Sequence, residues 1–468
     1  MRSLVWFRGK DLRVADHPPL AEAAASGEVI PLFVVDPFFF SPERARSLPH
    51  RMQFLLDSLA CLASELAGLG SRLLLVSGRS VDVLPRLALQ WRVDQVLASR
   101  WVEPFGRERD RRIAESLGRS GIPFRCLEGE TLLPPGSVRT GQGGMFRVFT
   151  PFARACAARL DPSSPLPPLA SLPPLPPDLS GPFVPVPSLE ALGLRPNPRL
   201  QPGGSRAGRA RLSVFLQERL GRYNLERDRM DLPSTSRLSA DLKFGTLSVR
   251  QVWRAVADQG GAGAAPFLNE LLWREFSHHL LWEWPELLDR PFRSGFAGFP
   301  WREDAASWEA WCEGRTGYPV VDAAARQLRA EGFVHNRARM VAASFLAKHL
   351  LLDWRLGEAH YMQWLADGDW ASNDAGWQWC AGCGCDAQPW FRIFNPVAQG
   401  LKFDPEGGYV KRWVPELAGC PAAFVHEPWT APRDLRSRLD YPEPRVDHAF
   451  ARERFRATAR AHLGGDGL

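Results

Sequence analysis

Short, largely apolar runs recur in the first part of the chain, at residues 3–7, 29–35, 72–76, 94–98 and 123–127. Runs of this length, bounded by polar and turn residues, predict strands buried on both faces. Between them the period lengthens: residues 51–69 and 106–117 repeat their apolar positions at helical spacing. Strands alternating with helices imply βαβ units, right-handed crossovers and a parallel sheet. Residues 1–130 are therefore expected to form an open, Rossmann-like α/β domain whose ligand crevice lies beyond the carboxyl ends of the strands.

The pattern breaks at residue 161, where the chain reads DPSSPLPPLASLPPLPP and continues rich in proline to PGGS. Proline removes amide donors and fixes φ, so residues 131–205 are expected to be a long Pro-rich connector draped over the surface. Beyond Arg206 the strand signals fade. Amphipathic windows at 207–220, 266–282, 320–330, 336–352 and 357–365 predict an all-α domain over 206–468.

Length agrees with two domains, since 468 residues exceed one ordinary core. The apolar fraction of 45% and charged fraction of 24% exclude a wholly disordered chain. Arg8, Lys10, Asp11 and Arg13 interrupt the first apolar run, and no later stretch has membrane-helix length, so a cytoplasmic protein is expected. Net charge is +6, which permits a polyanionic partner without demanding one. Arginine carries nearly all of it, the lysines being Lys10, Lys243, Lys348, Lys402 and Lys411. Eight cysteines in such a chain do not make a disulfide framework. The unusual quantity is 18 tryptophans, because each buried indole N–H wants a partner.

The candidate chemistry lies in the helical half. Glu270, Trp273 and Arg274 stand at i, i+3 and i+4, so carboxylate, indole and guanidinium share one helix face. Asn336, Arg339 and Met340 repeat that spacing. In the stretch 367–379, Asp367 and Asp369 precede Asn373 and the pair Trp377 and Trp379. Taken singly, Glu270 with Arg274 is also an ordinary ion pair and the tryptophans are also core filling; their coincidence is harder to dismiss.

These stretches, with residues 5–13 (VWFRGKDLR), 235–239 (TSRLS), 316–319 (TGYP) and 391–396 (FRIFNP), run in order along the chain. Together they resemble the photolyase/cryptochrome family, most of all its bacterial class I members that repair cyclobutane pyrimidine dimers. The resemblance covers essentially the whole chain. It implies an FAD in the helical domain, with Tyr223, Thr235, Ser236, Arg237 and Leu238 holding phosphates and ribityl chain, and Arg274 and Asn336 in the same binding set. Arg339 and Asp367 would pair beside the isoalloxazine, Asp369 would accept from its imide N–H, and Asn373 would face N5.

The same likeness implies a monomer acting on UV-damaged DNA. Glu270 and Asn336 would hydrogen-bond a flipped dimer, Met340 would pack on it, and Trp273 and Trp379 would form aromatic walls. Arg227, Arg274, Arg337 and Arg412 would meet phosphates, with Lys402 and Lys411 at the rim. Trp301, Trp354 and Trp377 match the electron-relay positions. A second, antenna chromophore is expected near Asp36, Arg51, Glu103 and Lys243. Phe105 and Gly106 stand where folate-binding members carry polar anchors, so deazaflavin or FMN is favoured over methenyltetrahydrofolate.

Phe267 and Phe333 replace tryptophans common in the family, and the run 380–385 (CAGCGC) offers thiols without a close fourth ligand, so no metal is expected. The alternative reading is a cryptochrome-type blue-light receptor without repair activity. Glu270, Asn336, Asn373 and Trp379 weigh against it, and no long signalling tail is expected beyond Leu468.

Overall fold

The computed structural model describes residues 1–160, 165–387 and 389–464; the first four residues of the proline-rich run lie outside them, as does Leu468. Five strands, β1 (Arg2–Phe7), β2 (Glu28–Val35), β3 (Leu74–Ser77), β4 (Gln95–Ser99) and β5 (Phe124–Leu127), form a parallel sheet in the order β3-β2-β1-β4-β5. Each strand sits on one of the apolar runs. The pleat explains why the inner runs are largely apolar, because successive side chains serve opposite faces and both are covered; the edge strand β5 instead carries the exposed Arg125. Leu4, Trp6, Ile30, Leu32, Val96 and Ala98 pack with Leu84, Leu87, Ile113 and Leu117. Val5, Phe7, Phe33, Leu75 and Leu97 pack with Leu55, Leu59, Leu62 and Leu66 on the other side.

The strand order reverses between β1 and β4, where such sheets open a crevice beyond their carboxyl ends. Here side chains fill it. Arg8 is bonded to Asp110 at 2.7 Å, and the guanidiniums of Arg8 and Arg109 both lie over Trp6 and Trp101. Lys10 forms buried ion pairs with Glu103 and Glu130.

The described part of the proline-rich segment is a strap on the sheet domain. Leu172 N–H donates to Leu69 O at 2.7 Å, Val184 N–H to Leu75 O at 2.9 Å, and Trp91 Nε1 to Ser180 O at 2.8 Å. Proline suits a strap because its fixed φ reduces the entropy lost on ordering.

Two compact units result. The first joins Met1–Tyr223 with Ser236–Pro285 and Ala366–Gly368; the second takes Asn224–Thr235, Glu286–Leu365 and the chain from Asp369 onward. The boundaries at 130 and 205 mark changes of pattern, whereas a compact unit depends on which surfaces meet. Phe244 stacks on Phe54 with centroids 5.0 Å apart, and Arg250 pairs with Asp16 at 2.9 Å. Fully buried Glu275, on the Ala264–Glu283 helix, accepts from Leu132 and Leu133 N–H, each at 2.9 Å. These bonds group the helices of Ser205–Val214 and Ser239–Glu283 with the sheet.

The second unit is helical. Its core gathers Trp311, Val321, Leu328, Val341, Phe345, Trp354, Trp377 and Phe455. The helices Ala305–Glu313, Pro319–Glu331, Asn336–Ser344, Trp354–Trp364, Trp370–Ala381 and His448–Leu463 supply the scaffold, with the turn after the third. The window 336–352 is helical to Ser344 and then widens into a π turn at Phe345–His349. Among the described residues no helix is long and apolar enough to cross a membrane.

Candidate functional site

The first unit carries the acidic and aromatic face. On the Ala264–Glu283 helix, Leu271, Leu272, Glu275 and Phe276 are buried while Glu270, Trp273 and Arg274 are half-buried, as the i, i+3, i+4 spacing requires. Trp273 lies flat on Phe149, with ring centroids 3.7 Å apart and planes 8° from parallel. Phe276 closes edge-on against both rings. Phe149 was not singled out by the sequence pattern, since it lies far away in the chain and only tertiary packing brings it to Trp273. Arg274 Nη1 donates to Glu130 O at 2.9 Å, so part of its donor set is spent on holding that turn.

Further candidates belong to this unit. Tyr223 is buried, edge-on to Phe215 and Phe267 at 5.7 and 5.3 Å, so Phe267 keeps an aromatic wall where an indole is common. Ser236 Oγ accepts from Leu238 N–H at 3.4 Å. Arg237 stands between them at φ +57°, a left-handed conformation that costs a non-glycine residue energy and marks functional turns. Gln201 donates to its carbonyl at 3.2 Å. Asp367 is half-buried.

At the carboxyl ends of β2 and β4 the antenna candidates separate into anchors and surface. Asp36 is spent locally: Oδ1 accepts from Phe38 N–H at 3.0 Å, and Oδ2 accepts from Ser80 N–H and Oγ at 2.8 and 2.6 Å. Glu103 is buried with Lys10. Phe105, two residues on, is the group this turn shows to solvent, 6.2 Å from the exposed ring of Phe38. Phe39 and Trp101 also flank it, at 6.3 and 5.6 Å. Arg51 is half-buried on the Pro49–Gly68 helix, and Lys243 Nζ lies 3.5 Å from the centroid of Phe244.

The second unit holds the remaining candidates. His335 caps the Asn336–Ser344 helix by accepting from Arg337 N–H at 3.2 Å, and burial pushes the imidazole down to about 4, which keeps it a neutral acceptor. Asn336 and Met340 then lie one turn apart on the outer side, 3.7 Å from amide nitrogen to sulfur, while Ala338, Val341 and Ala342 are buried. Arg337 pairs with Asp228 at 2.9 Å and lies over Phe403. Arg339 donates to Val334 O at 2.8 Å and stands 5.6 Å from Phe333. Arg227, Thr235 and Trp379 are half-buried, and on the Gly408–Trp413 helix Arg412 is exposed beside a half-buried Lys411.

Asp369 caps the Trp370–Ala381 helix, Oδ1 accepting from Ser372 N–H at 2.9 Å. One turn later Asn373 donates its amide to Glu358 Oε1 at 2.8 Å. Glu358 is a second residue that sequence reasoning missed: it comes from the Trp354–Trp364 helix, and no spacing connects it to Asn373. Burial, then the nearby Glu358 charge, pushes Asp374 up to about 9. Trp354 and Trp377 are buried and Trp301 is half-buried against Phe299 at 4.4 Å. Gly357 lets the Trp377 ring approach its backbone, where a Cβ would collide.

These residues suit a flavin dinucleotide. Hydroxyls and a guanidinium at 235–237 are donors for phosphate, the left-handed Arg237 turns the backbone there, and Ser234 Oγ beside them is buried without a partner. Buried hydroxyls are normally satisfied, so an unpartnered one suits a polar ligand.

A parallel sheet domain followed by helices with this donor set defines a flavin-dependent protein of the photolyase class. A family model for DNA photolyase matches residues 3–174, and one for the FAD binding domain of DNA photolyase matches residues 267–461. A deoxyribodipyrimidine photo-lyase of Thermus thermophilus is 41% identical, with 98% of each chain covered. Among solved structures, a bacterial class III photolyase of Agrobacterium tumefaciens superposes with a TM-score of 0.91 at 38% identity, covering 98% of this chain and 97% of that one. A Synechocystis cryptochrome scores 0.89 at 31% identity, covering 98% and 99%. An archaeal photolyase of Sulfolobus tokodaii, solved with two FAD molecules, scores 0.85 at 30%, covering 98% and 100%. The chain belongs to the photolyase/cryptochrome family.

Proposed function

We propose that this protein is a light-driven lyase that splits cyclobutane pyrimidine dimers in UV-damaged DNA, with FAD as its working cofactor. The observation that carries the reading is the outer face of the Ala264–Glu283 helix, where Glu270 stands one turn from a Trp273 held flat by Phe149. The relatives named as photo-lyases over nearly the whole chain support it. We keep 1–130 as the antenna domain, 131–205 as the connector and 206–468 as the catalytic domain.

Tyr223, Thr235, Ser236, Arg237 and Leu238 would hold the phosphates and ribityl chain, with Arg274, Asn336, Arg339, Asp367, Asp369 and Asn373 toward the ring system. Asn373 spends its amide N–H on Glu358, which leaves its carbonyl oxygen to accept from a protonated ring nitrogen. When bound and reduced, FAD supplies one electron under light and recovers it after the ring splits, with no net redox change. The dimer must leave the base stack for this, and a distorted, poorly paired dimer costs less to flip. Glu270 and Asn336 would hydrogen-bond its edges, Met340 would pack on it, and Trp273 and Trp379 would wall it. Arg227, Arg274, Arg337 and Arg412 would position the backbone through phosphates.

Reduced protein mixed with a thymine-dimer oligonucleotide should restore undamaged thymines under blue light and not in the dark. Glu270→Ala should weaken this through a lost buried hydrogen bond worth about 1–3 kcal/mol. Dimer loss that is equal in the dark, or no repair under light as a photoreceptor would show, sinks the proposal.

For the second chromophore we infer a flat flavin-like antenna, deazaflavin or FMN, near Asp36, Arg51, Glu103 and Lys243, stacked on the exposed faces of Phe38 and Phe105. Phe38 is 60% and Phe105 38% exposed, and aromatic surface of that extent suits a planar ring. Chromophore extracted from protein made in a deazaflavin-producing host should be a flavin or deazaflavin; bound methenyltetrahydrofolate refutes the assignment.

A further inference from the structure

The second unit carries a cavity of about 490 Å³ that dimer repair does not use. It lies at the first turns of two helices, Ala305–Glu313 and His448–Leu463, and its size falls within the roughly 300 to 1,000 Å³ of small-molecule pockets. Three guanidiniums line it, those of Arg302, Arg445 and Arg454. Arg454 is half-buried and donates through Nη2 to His349 O, while its buried Nε has no hydrogen-bond partner among the described residues. Burial, then the nearby Arg302 charge, pushes the Arg454 guanidinium down from its ordinary value, so the two cations stand close enough to repel. Arg302 reaches Leu350 O at 3.4 Å and Asp304 Oδ2 at 3.3 Å, both long contacts. Arg445 is exposed.

The carboxylates in the cavity wall are engaged elsewhere. Asp304 caps the Ala305–Glu313 helix, accepting from Ser307 N–H and Oγ at 3.0 and 2.8 Å. Asp447 caps the His448–Leu463 helix, accepting from Phe450 N–H at 2.8 Å. Glu443 faces Arg436 at 3.8 Å. Each carboxylate thus has its own donor, and the guanidiniums are left with unfilled capacity.

We propose that this cavity binds a phosphate dianion, free or as the monoester of a small ring-bearing molecule such as a nucleoside, between Arg302, Arg445 and Arg454. Three donor forks suit phosphate better than carboxylate. A carboxylate offers two oxygens in one plane and one charge, whereas a phosphate monoester offers three terminal oxygens, tetrahedrally set, and close to two charges. The bound anion would turn the repulsion between Arg302 and Arg454 into attraction to a shared centre, and would give Arg454 Nε an acceptor. The positive ends of two helix dipoles add to the potential there. Phe450 is 60% exposed and lies 5.3 Å from the Arg454 guanidinium, so its ring is open to a flat group attached to the phosphate. Neither flavin nor damaged DNA enters this argument, so its failure leaves the lyase reading untouched.

Isothermal titration of the full, FAD-loaded chain in the dark, in phosphate-free buffer, tests it with inorganic phosphate, thymidine 5′-monophosphate and thymidine. Saturable one-to-one binding is expected for the phosphate-bearing probes and none for thymidine. Arg302→Gln and Arg445→Gln should each weaken binding about tenfold or more, as the loss of a charge-assisted bond does. Both side chains are exposed, and circular dichroism melts of the ligand-free variants should match wild type. Phosphate should raise the wild-type unfolding temperature and not that of Arg302→Gln/Arg445→Gln. Equal binding of the two phosphate-bearing probes assigns the free ion. Tighter binding of the nucleotide that Phe450→Ala reduces to the level of inorganic phosphate assigns the monoester. The proposal is overturned by no saturable binding of either probe, by thymidine binding as tightly as its monophosphate, or by undiminished binding in Arg445→Gln. Nucleotide binding that Glu270→Ala abolishes and Arg445→Gln retains places the ligand at the dimer site and overturns it as well.

Discussion

Trp377→Phe should slow light-driven reduction of the oxidised, FAD-loaded protein by roughly a hundredfold, a barrier increase of about 2.7 kcal/mol. Trp377 is 3% exposed and lies against Gly357, Trp311 and Tyr361, so phenylalanine keeps an aromatic filling and loses the easily oxidised indole. The relay positions start at this ring, which is why Trp354 and Trp301 are not expected to compensate for it. The same variant, reduced chemically beforehand, should still repair dimers under light, because the relay serves to fill the flavin with electrons and not to split the substrate. Photoreduction at the wild-type rate, measured by flavin absorbance with an external thiol, would return Trp377 to core filling.

Glu275→Ala should destabilise the first unit by about 3–5 kcal/mol, against a typical total stability of roughly 5–15 kcal/mol. Its carboxylate is fully buried and accepts from two successive backbone amides, Leu132 and Leu133, with His279 Nε2 a further 3.3 Å contact. Truncation leaves both amides without a partner, and charge-assisted bonds to a buried acceptor are the strong ones. Glu275→Gln keeps one acceptor oxygen and should fall between wild type and alanine. Thermal unfolding followed by circular dichroism checks this; a loss under about 1 kcal/mol in Glu275→Ala would show that water replaces the carboxylate there.

Much of the fold is legible in the sequence. Five largely apolar runs became the five strands because a strand covered on both faces needs few polar positions, and helical spacing located the helices it predicted to within a few residues, while others such as Trp370–Ala381 and His448–Leu463 carried no window. Spacing also placed Glu270, Trp273 and Arg274 on one face, and Asn336 with Met340 on another, since a helix turns every 3.6 residues whatever surrounds it. Proline content marked the connector. Nothing in its composition marked the particular amides that bind it to Leu69 and Leu75.

What the sequence by itself determined is thus local: element type, which residues share a helix face, and the ordered motifs that carry the family likeness. Only the tertiary structure decided which distant groups meet those faces. Phe149 under Trp273, Glu358 on Asn373, Trp311 against Trp377 and Glu275 beneath Leu132 join positions separated by about 15 to 140 residues. The physical reason is that backbone periodicity is set by bonds between near neighbours along the chain. Side-chain contact across elements depends instead on how whole helices pack, and on a few buried polar groups that must find partners wherever the fold leaves them.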